Sequence, residues 1–243
     1  MKKTLLTICL VWMCFSLSAQ KIIDLSGKWS FSIDRQDNGE KEKWFSHTLN
    51  DFINLPGSMP EKLKGDEVTA KTQWTGSLYD SSYYYNPYME KYRKEGNIKF
   101  PFFLTPDKHY VGAAWYQKEV NIPADWKGER ILLFLERPHI ETTVWVNGQK
   151  TGMQNSLCVP HQYDITRYVR PGKCTITIRV DNRIKEINVG PDSHSITDQT
   201  QGNWNGIVGR ICLQTTPKTY FDDIQIYPEP EQKLARVKVV IKG

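Results

Sequence analysis

Thr142-Thr143-Val144-Trp145-Val146-Asn147-Gly148 decides how this chain is read. A β-branched and aromatic run meets an Asn-Gly pair, the strongest short hairpin signal, because both residues tolerate the positive φ of a two-residue turn. The same pattern recurs on either side. Upstream, Arg130-Ile131-Leu132-Leu133-Phe134-Leu135-Glu136 is an apolar run of the length of a buried strand. Downstream, Thr175-Ile176-Thr177-Ile178-Arg179-Val180 alternates apolar and polar side chains. Further out, Leu25 to Ile33 puts Trp29, Phe31 and Ile33 on one face, and Asp51 to Ser58 ends in a Pro-Gly turn. Trp115 to Val120, Arg210 to Leu213 and Asp223 to Tyr227 add further strands. Helical periodicity is confined to single turns at Pro60–Lys64 and Ile165–Val169. Roughly eight to ten short, regularly spaced strands predict an all-β fold, a two-sheet antiparallel β-sandwich of jelly-roll type. Alternating βαβ units are missing, which excludes a doubly wound nucleotide fold.

The chain has 243 residues, 39% hydrophobic, 12% aromatic and 24% charged. That is enough for a sizeable core, and eight Trp, twelve Tyr and nine Phe are the opposite of a disordered composition. The formal net charge is +5. So mild a balance points to neither nucleic acid nor an anionic membrane surface.

Met1-Lys2-Lys3, the apolar run Thr4 to Phe15 and the small residues Ser16-Leu17-Ser18-Ala19 read as a secretory signal peptide over residues 1–19. The apolar run is shorter than the ~20 residues of a membrane span, so export to the periplasm or the extracellular space is expected. Beyond the leader only Cys158, Cys174 and Cys212 remain, without CxxC or zinc spacing. They read as buried small hydrophobes, with a Cys158–Cys174 bridge as the alternative. Neither a metal site nor a cofactor motif is expected.

Two segments interrupt the strand rhythm. Residues 71–111 form a long aromatic-rich insertion, with Trp74, Tyr83-Tyr84-Tyr85 and Phe102-Phe103. Loops of that length are functional when they are not disordered. Residues 190–210 are polar and Gly-rich around Trp204, with Asp198, Gln201 and Asn203 beside it. Amides and carboxylates bridge vicinal hydroxyls, and an indole face stacks on the C–H face of a pyranose, so this composition suits a carbohydrate partner. Pro228 to Lys233 reads as a linker. Leu234 to Gly243 then opens a strand with no partner behind it, the start of a further domain.

Read together, Leu25-Ser26-Gly27-Lys28-Trp29-Ser30-Phe31, Leu55-Pro56-Gly57-Ser58, Ala114-Trp115-Tyr116-Gln117-Lys118-Glu119-Val120, Val144-Trp145-Val146-Asn147-Gly148, Tyr163-Asp164-Ile165-Thr166, Ile178-Arg179-Val180-Asp181-Asn182 and Trp204-Asn205-Gly206-Ile207 resemble the N-terminal sugar-binding domain of glycoside hydrolase family 2. This is the β-galactosidase/β-glucuronidase group, and the stretches follow its order. The resemblance implies a jelly-roll (galactose-binding-like) domain over residues 24–228. Residues 229–243 would then be a linker and the first strand of an immunoglobulin-like domain, followed in whole enzymes by a (β/α)8 barrel that holds both catalytic Glu residues. A barrel takes ~250 residues by itself, so no catalytic residue is assigned to this chain and turnover by it alone is not expected. Glu136 and Glu141 are not that pair, and Glu141 reads as a strand-edge charge. The resemblance also implies substrate contacts from two loops, one with His109 and Tyr110, the other with Asp198, Gln201, Asn203 and Trp204. Counting back from Gly206 puts Thr200 where the family has a carboxylate, with Asp198 as its substitute, because Gly206-Ile207-Val208-Gly209-Arg210 is one residue longer than the usual spacing.

Other readings give the same chain different roles. A free-standing carbohydrate-binding module and a non-binding structural domain docked on its neighbours both fit the strand pattern. His194, between Ser193 and Ser195, has no nucleophile elbow or triad order around it. Trp29, Trp115 and Trp145 alternate with apolar neighbours and read as core.

Overall fold

The computed structural model describes residues 20–77, 80–185, 190 and 192–243. The leader expected at 1–19 lies outside the described residues. The strands are, in order, β1 (Ile22–Asp24), β2 (Gly27–Asp34), β3 (Asp51–Leu55), β4 (Gly57–Ser58) and β5 (Asp66–Glu67). Then come β6 (Lys108–His109), β7 (Ala113–Ile122), β8 (Arg130–His139), β9 (Glu141–Val146) and β10 (Gln149–Asn155). The last five are β11 (His161–Asp164), β12 (Gly172–Asp181), β13 (Gly206–Thr216), β14 (Tyr220–Glu229) and β15 (Leu234–Lys242).

Two antiparallel sheets face each other. The larger runs β10-β9-β12-β7-β2-β3, and the smaller runs β1-β13-β8-β11 with β4 also paired to β13. The expected hairpin forms as read: β9 and β10 join through Asn147, at φ 50°, and Gly148, at φ 77°. Period-two alternation then sorts the side chains. Trp29, Phe31, Tyr116, Val144, Val146, Ile176, Ile178 and Val180 of the larger sheet meet Leu133, Leu135, Ile207, Ile211 and Leu213 of the smaller.

Trp115 and Trp145 are core residues as read, in a cluster separate from the main one. They are buried, but on the outer face of the larger sheet, 4.9 Å apart, in a second cluster with Leu49, Trp44 and Phe45. The reason is parity, since Tyr116 and Val144 point inward and their neighbours therefore point out. The segment after β2 folds back to cover them. Phe45 stacks on Trp145 at 5.2 Å, and the Asp34 carboxylate accepts hydrogen bonds from Trp115 Nε1, Asn38 N and Gly39 N, each at 2.9 Å. The central strands are thus buried on both faces, which is why Glu141–Val146 shows no exposed position.

Glu141 is likewise no ordinary strand-edge charge. It is buried and faces Arg179 Nη1 at 3.4 Å and Lys185 Nζ at 2.9 Å. Asp181 beside it receives Arg183 at 2.5 Å, Lys185 at 2.8 Å and Arg179 at 3.0 Å, and Asp37 bridges both arginines. Burial alone would raise the Asp181 pKa. The hydrogen bonds from Arg183 and Lys185 overcome it and hold the carboxyl well below its ordinary range.

The extra residue in Gly206–Arg210 has a structural outlet. The β13–β8 register shifts between Val208 and Ile211, and Gly209 sits at φ 75° in this bulge. The Glu136 carboxylate accepts the Arg210 N–H there, which accounts for Glu136 without chemistry. At the far end, the strand read as solitary has a partner: β15 pairs with β14 along its length, and the expected linker is the 3-10 turn Pro230–Gln232 between them. The three cysteines among the described residues are free, Cys174 and Cys212 buried and Cys158 exposed, so the alternative Cys158–Cys174 bridge does not form. Among the described residues no helix is long and apolar enough to cross a membrane.

A Cβ added at Gly39 would stand 2.5 Å from Trp115 Nε1 and 2.7 Å from Asp34 Oδ2. Gly39→Ala is expected to lower stability by about 1–3 kcal/mol through overpacking, read from chemical denaturation. An unchanged midpoint would show that the covering segment contributes little.

Candidate functional site

The loops singled out in the sequence converge at one end of the sandwich, where β7 begins and β12 ends. Here the chain leaves the ladder while still buried, so its backbone polar groups need side-chain partners. Three asparagines supply them. Asn182 Nδ2 donates to Tyr110 O and Asn182 Oδ1 accepts from Gly112 N, at 2.9 and 2.8 Å. Asn205 Nδ2 donates to Gly112 O and Val180 O, and Asn205 Oδ1 accepts the Tyr116 hydroxyl at 2.7 Å. Asn203 Nδ2 donates to Thr75 Oγ1 and Asn182 O, both at 3.0 Å.

Asp198 pins the aromatic insertion to this end. Its carboxylate accepts Thr75 N at 2.6 Å and Asn203 N at 2.7 Å, while its backbone carbonyl accepts Leu104 N at 2.9 Å. His109 Nε2 lies 3.6 Å from Asp198 Oδ2. The His109 ring meets Trp74 edge-on at 4.9 Å, and Trp74 stacks on Phe103 at 5.1 Å. The insertion thus carries a small aromatic core of its own, in which Tyr83 and Phe100 are fully buried and stacked at 4.4 Å.

The six residues singled out occupy different settings. Asp198, Asn203 and His109 are drawn together and buried. Trp204 is half-buried, with one ring face stacked on His139 at 4.5 Å. Gln201 is exposed on the turn. Tyr110 is buried, and its hydroxyl donates to Ala113 O at 2.9 Å. Burial pushes its pKa up to about 12. A cleft of about 510 Å³ opens alongside, lined by His109, Tyr110, Asp66, Glu67, Gln73 and Arg183 among others.

Sequence reading missed His139, Thr75 and the loop-binding roles of Asn182 and Asn205. The Asp-Asn and Asn-Trp-Asn stretches were legible as motifs, yet nothing local says that these amides face buried carbonyls. Five buried side-chain polar atoms lack a hydrogen-bond partner among the described residues, and four belong to this end of the sandwich: Trp74 Nε1, His109 Nε2, His139 Nε2 and Asn203 Oδ1. The two imidazoles nonetheless face polar neighbours, His109 the Asp198 carboxylate at 3.6 Å and His139 the Asn203 side chain. No group of three or more His, Cys, Asp and Glu among the described residues is placed to hold a metal ion.

Asn205→Leu keeps the branched shape but strips partners from the Tyr116 hydroxyl and two carbonyls. It should cost about 3 kcal/mol, measured by urea unfolding. Acid should weaken the fold as well. Burial lowers the His139 pKa to about 4, and also lowers that of His161, so the unfolded chain binds more protons between about pH 6.5 and 4. Stability therefore falls as pH drops through that window. His139→Gln should flatten part of the slope, and an unchanged slope would place the proton uptake elsewhere.

The family model for "Glycosyl hydrolases family 2, sugar binding domain" matches residues 22–217. Human β-glucuronidase is 25% identical over 250 residues, covering 90% of this chain and 33% of that protein. The β-glucuronidase of Paenibacillus borealis is 27% identical over 222 residues, covering 85% and 31%. Among solved structures, a β-glucuronidase from an uncultured Clostridium sp. superposes with TM-score 0.61 at 20% identity, covering 93% of this chain and 34% of that one. The chain spans about a third of the length of these relatives. The ordered motifs, the two-sheet sandwich and the family match over most of the chain lead to one conclusion: the protein belongs to glycoside hydrolase family 2 and carries that family's N-terminal sugar-binding domain.

Proposed function

We propose that this chain is the sugar-binding N-terminal part of an exported β-glycosidase of the β-glucuronidase kind. In this reading its loop end lends polar groups to the terminal sugar of a β-glycoside, and a separate barrel domain performs hydrolysis. The observation that carries it is the junction of loops 107–113 and 198–205, with His109, Asp198 and Asn203 in one buried polar cluster. Trp204 offers the half-buried indole, Gln201 an exposed amide, and His109 and Tyr110 line the adjoining cleft.

The chemistry of the carboxylates favours binding over turnover. Retaining glycosidases hold two carboxyl groups ~5–5.5 Å apart across the scissile bond. In this chain Asp198 accepts two backbone N–H groups, Glu141 is paired with Arg179 and Lys185, and Glu136 caps a bulge. Each is engaged in holding the fold.

The terminal hairpin supports the second half of the reading. Ile224, Ile226, Val237, Val239 and Ile241 lie on one face of β14–β15, all exposed. An isolated two-stranded hairpin is marginal in water, and an apolar face of this kind asks for cover. We assign it to the immunoglobulin-like domain that follows in such enzymes, which moves the expected boundary from Pro228 back to about Pro217. Export rests on the leader at residues 1–19.

Calorimetric titration of the purified chain with β-glucuronides and β-galactosides, alongside an assay for hydrolysis, tests this reading. Saturable binding without hydrolysis is expected, with affinity reduced at least tenfold in Trp204→Ala at unchanged far-ultraviolet circular dichroism. Hydrolysis by the purified chain, or no binding to any β-glycoside, would refute it.

A further inference from the structure

The end of the sandwich opposite Asp198 and His109 carries a hollow of its own. β7 stops there at Ile122, β8 starts at Arg130 and β12 starts at Gly172. Between them lies a cavity of about 360 Å³, lined by Ile122, Trp126, Ile131, Val169 and Pro171. The first four are buried side chains of the main core, so the hollow reaches core surface. Lys127, Arg170 and Lys218 stand around the same cavity, and Glu129 is the one acid in its lining.

Its walls are tied down by hydrogen bonds. Trp126 ends the 3-10 turn Ala124–Trp126, closed by Trp126 N to Pro123 O and Glu129 N to Trp126 O, both at 3.1 Å. The facing turn, Thr166–Tyr168, is fastened to β8, because Ile131 N donates to Thr166 Oγ1 and Ile165 N donates to Ile131 O, both at 2.9 Å. The Arg170 guanidinium donates back to Val169 O at 2.6 Å, which holds it at the rim. Charge sets the hollow apart from its surroundings. Neighbouring cations pair with acids, Lys21 with Asp125 and Arg130 with Asp164 at 2.8 Å, and Lys173 with Glu119 at 2.9 Å. Lys127, Arg170 and Lys218 are exposed, and among the described residues none of them has an acid within ion-pair distance.

From this juxtaposition we infer that the hollow binds a small carboxylic acid with a flat apolar body. The body enters over Trp126 and Ile131, and the carboxylate meets the rim of Lys127, Arg170 and Lys218. Size agrees, because small-molecule sites start at ~300 Å³ and are mostly apolar with a few placed polar groups. A cavity of ~150 Å³ already admits benzene, so this one has room for two fused rings. Charge agrees too. Three cations against one acid leave the rim positive, and a guanidinium held in place loses little freedom when its planar fork meets a carboxylate. The hollow shares no lining residue with the cleft at the loop end, so it stands or falls apart from sugar binding.

Calorimetric titration of the purified chain with 2-naphthoate, 2-naphthamide and acetate tests it. Naphthoate is expected to saturate one site with a Kd below about 1 mM. Naphthamide, with the same rings and no charge, should bind about tenfold more weakly or worse, and acetate, with the charge and no rings, should show no binding. Added salt should erode the advantage of the acid over the amide. The triple variant Lys127→Gln, Arg170→Gln, Lys218→Gln alters exposed side chains only, and an unchanged unfolding midpoint without ligand shows that it folds. In it the naphthoate-to-naphthamide affinity ratio should fall toward one. No saturable naphthoate binding, or equal affinity for acid and amide, would overturn the site and leave an apolar hollow of the kind a neighbouring domain covers. A ratio unchanged in the triple variant would put the acid elsewhere on the protein and overturn it as well.

Discussion

Where β7 begins and β12 ends, backbone carbonyls and N–H groups leave the sheet ladder inside the protein, and asparagine side chains meet them. Asn182 and Asn205 each offer two donors and an acceptor, and each is used on both sides. An amide is the smallest side chain that can do this without a charge to bury. Long loops can therefore run close to the core at the functional end. Without that satisfaction the loops would have to swing out to water, and His109, Asp198 and Trp204 would part.

Asp198 stands at the boundary between scaffold and site. Both of its carboxylate oxygens receive backbone N–H groups, which commits the side chain to position the aromatic insertion. Around it are gathered the His109 ring, the Asn203 amide and the rings of Trp74 and Phe103.

The larger sheet shows a related economy. Its inner face packs on the smaller sheet, and its outer face carries two tryptophans and an ion network rather than open solvent. Burying both faces stiffens β7, β9 and β12, the strands whose ends hold the loops. The covering segment depends on one carboxylate, Asp34, and on the absence of a side chain at Gly39.

Strand identity, the β9–β10 hairpin and the inward set Trp29, Phe31, Ile176 and Ile178 were legible in the sequence, because period-two alternation and Asn-Gly turn chemistry are local. So was family membership, carried by motifs in a fixed order. The outer placement of Trp115 and Trp145 was decided by tertiary structure: an apolar residue out of phase with the core reads the same as one in phase until a covering segment is seen. The burial of Glu141, the bulge at Gly209 and the β14–β15 pairing depended equally on partners distant in sequence or on register. Asp198, Asn203 and His109 were nameable as polar residues near a tryptophan. Which atoms they bond, and that the insertion at 71–111 packs its rings beside them, follows only from contacts between segments about a hundred residues apart.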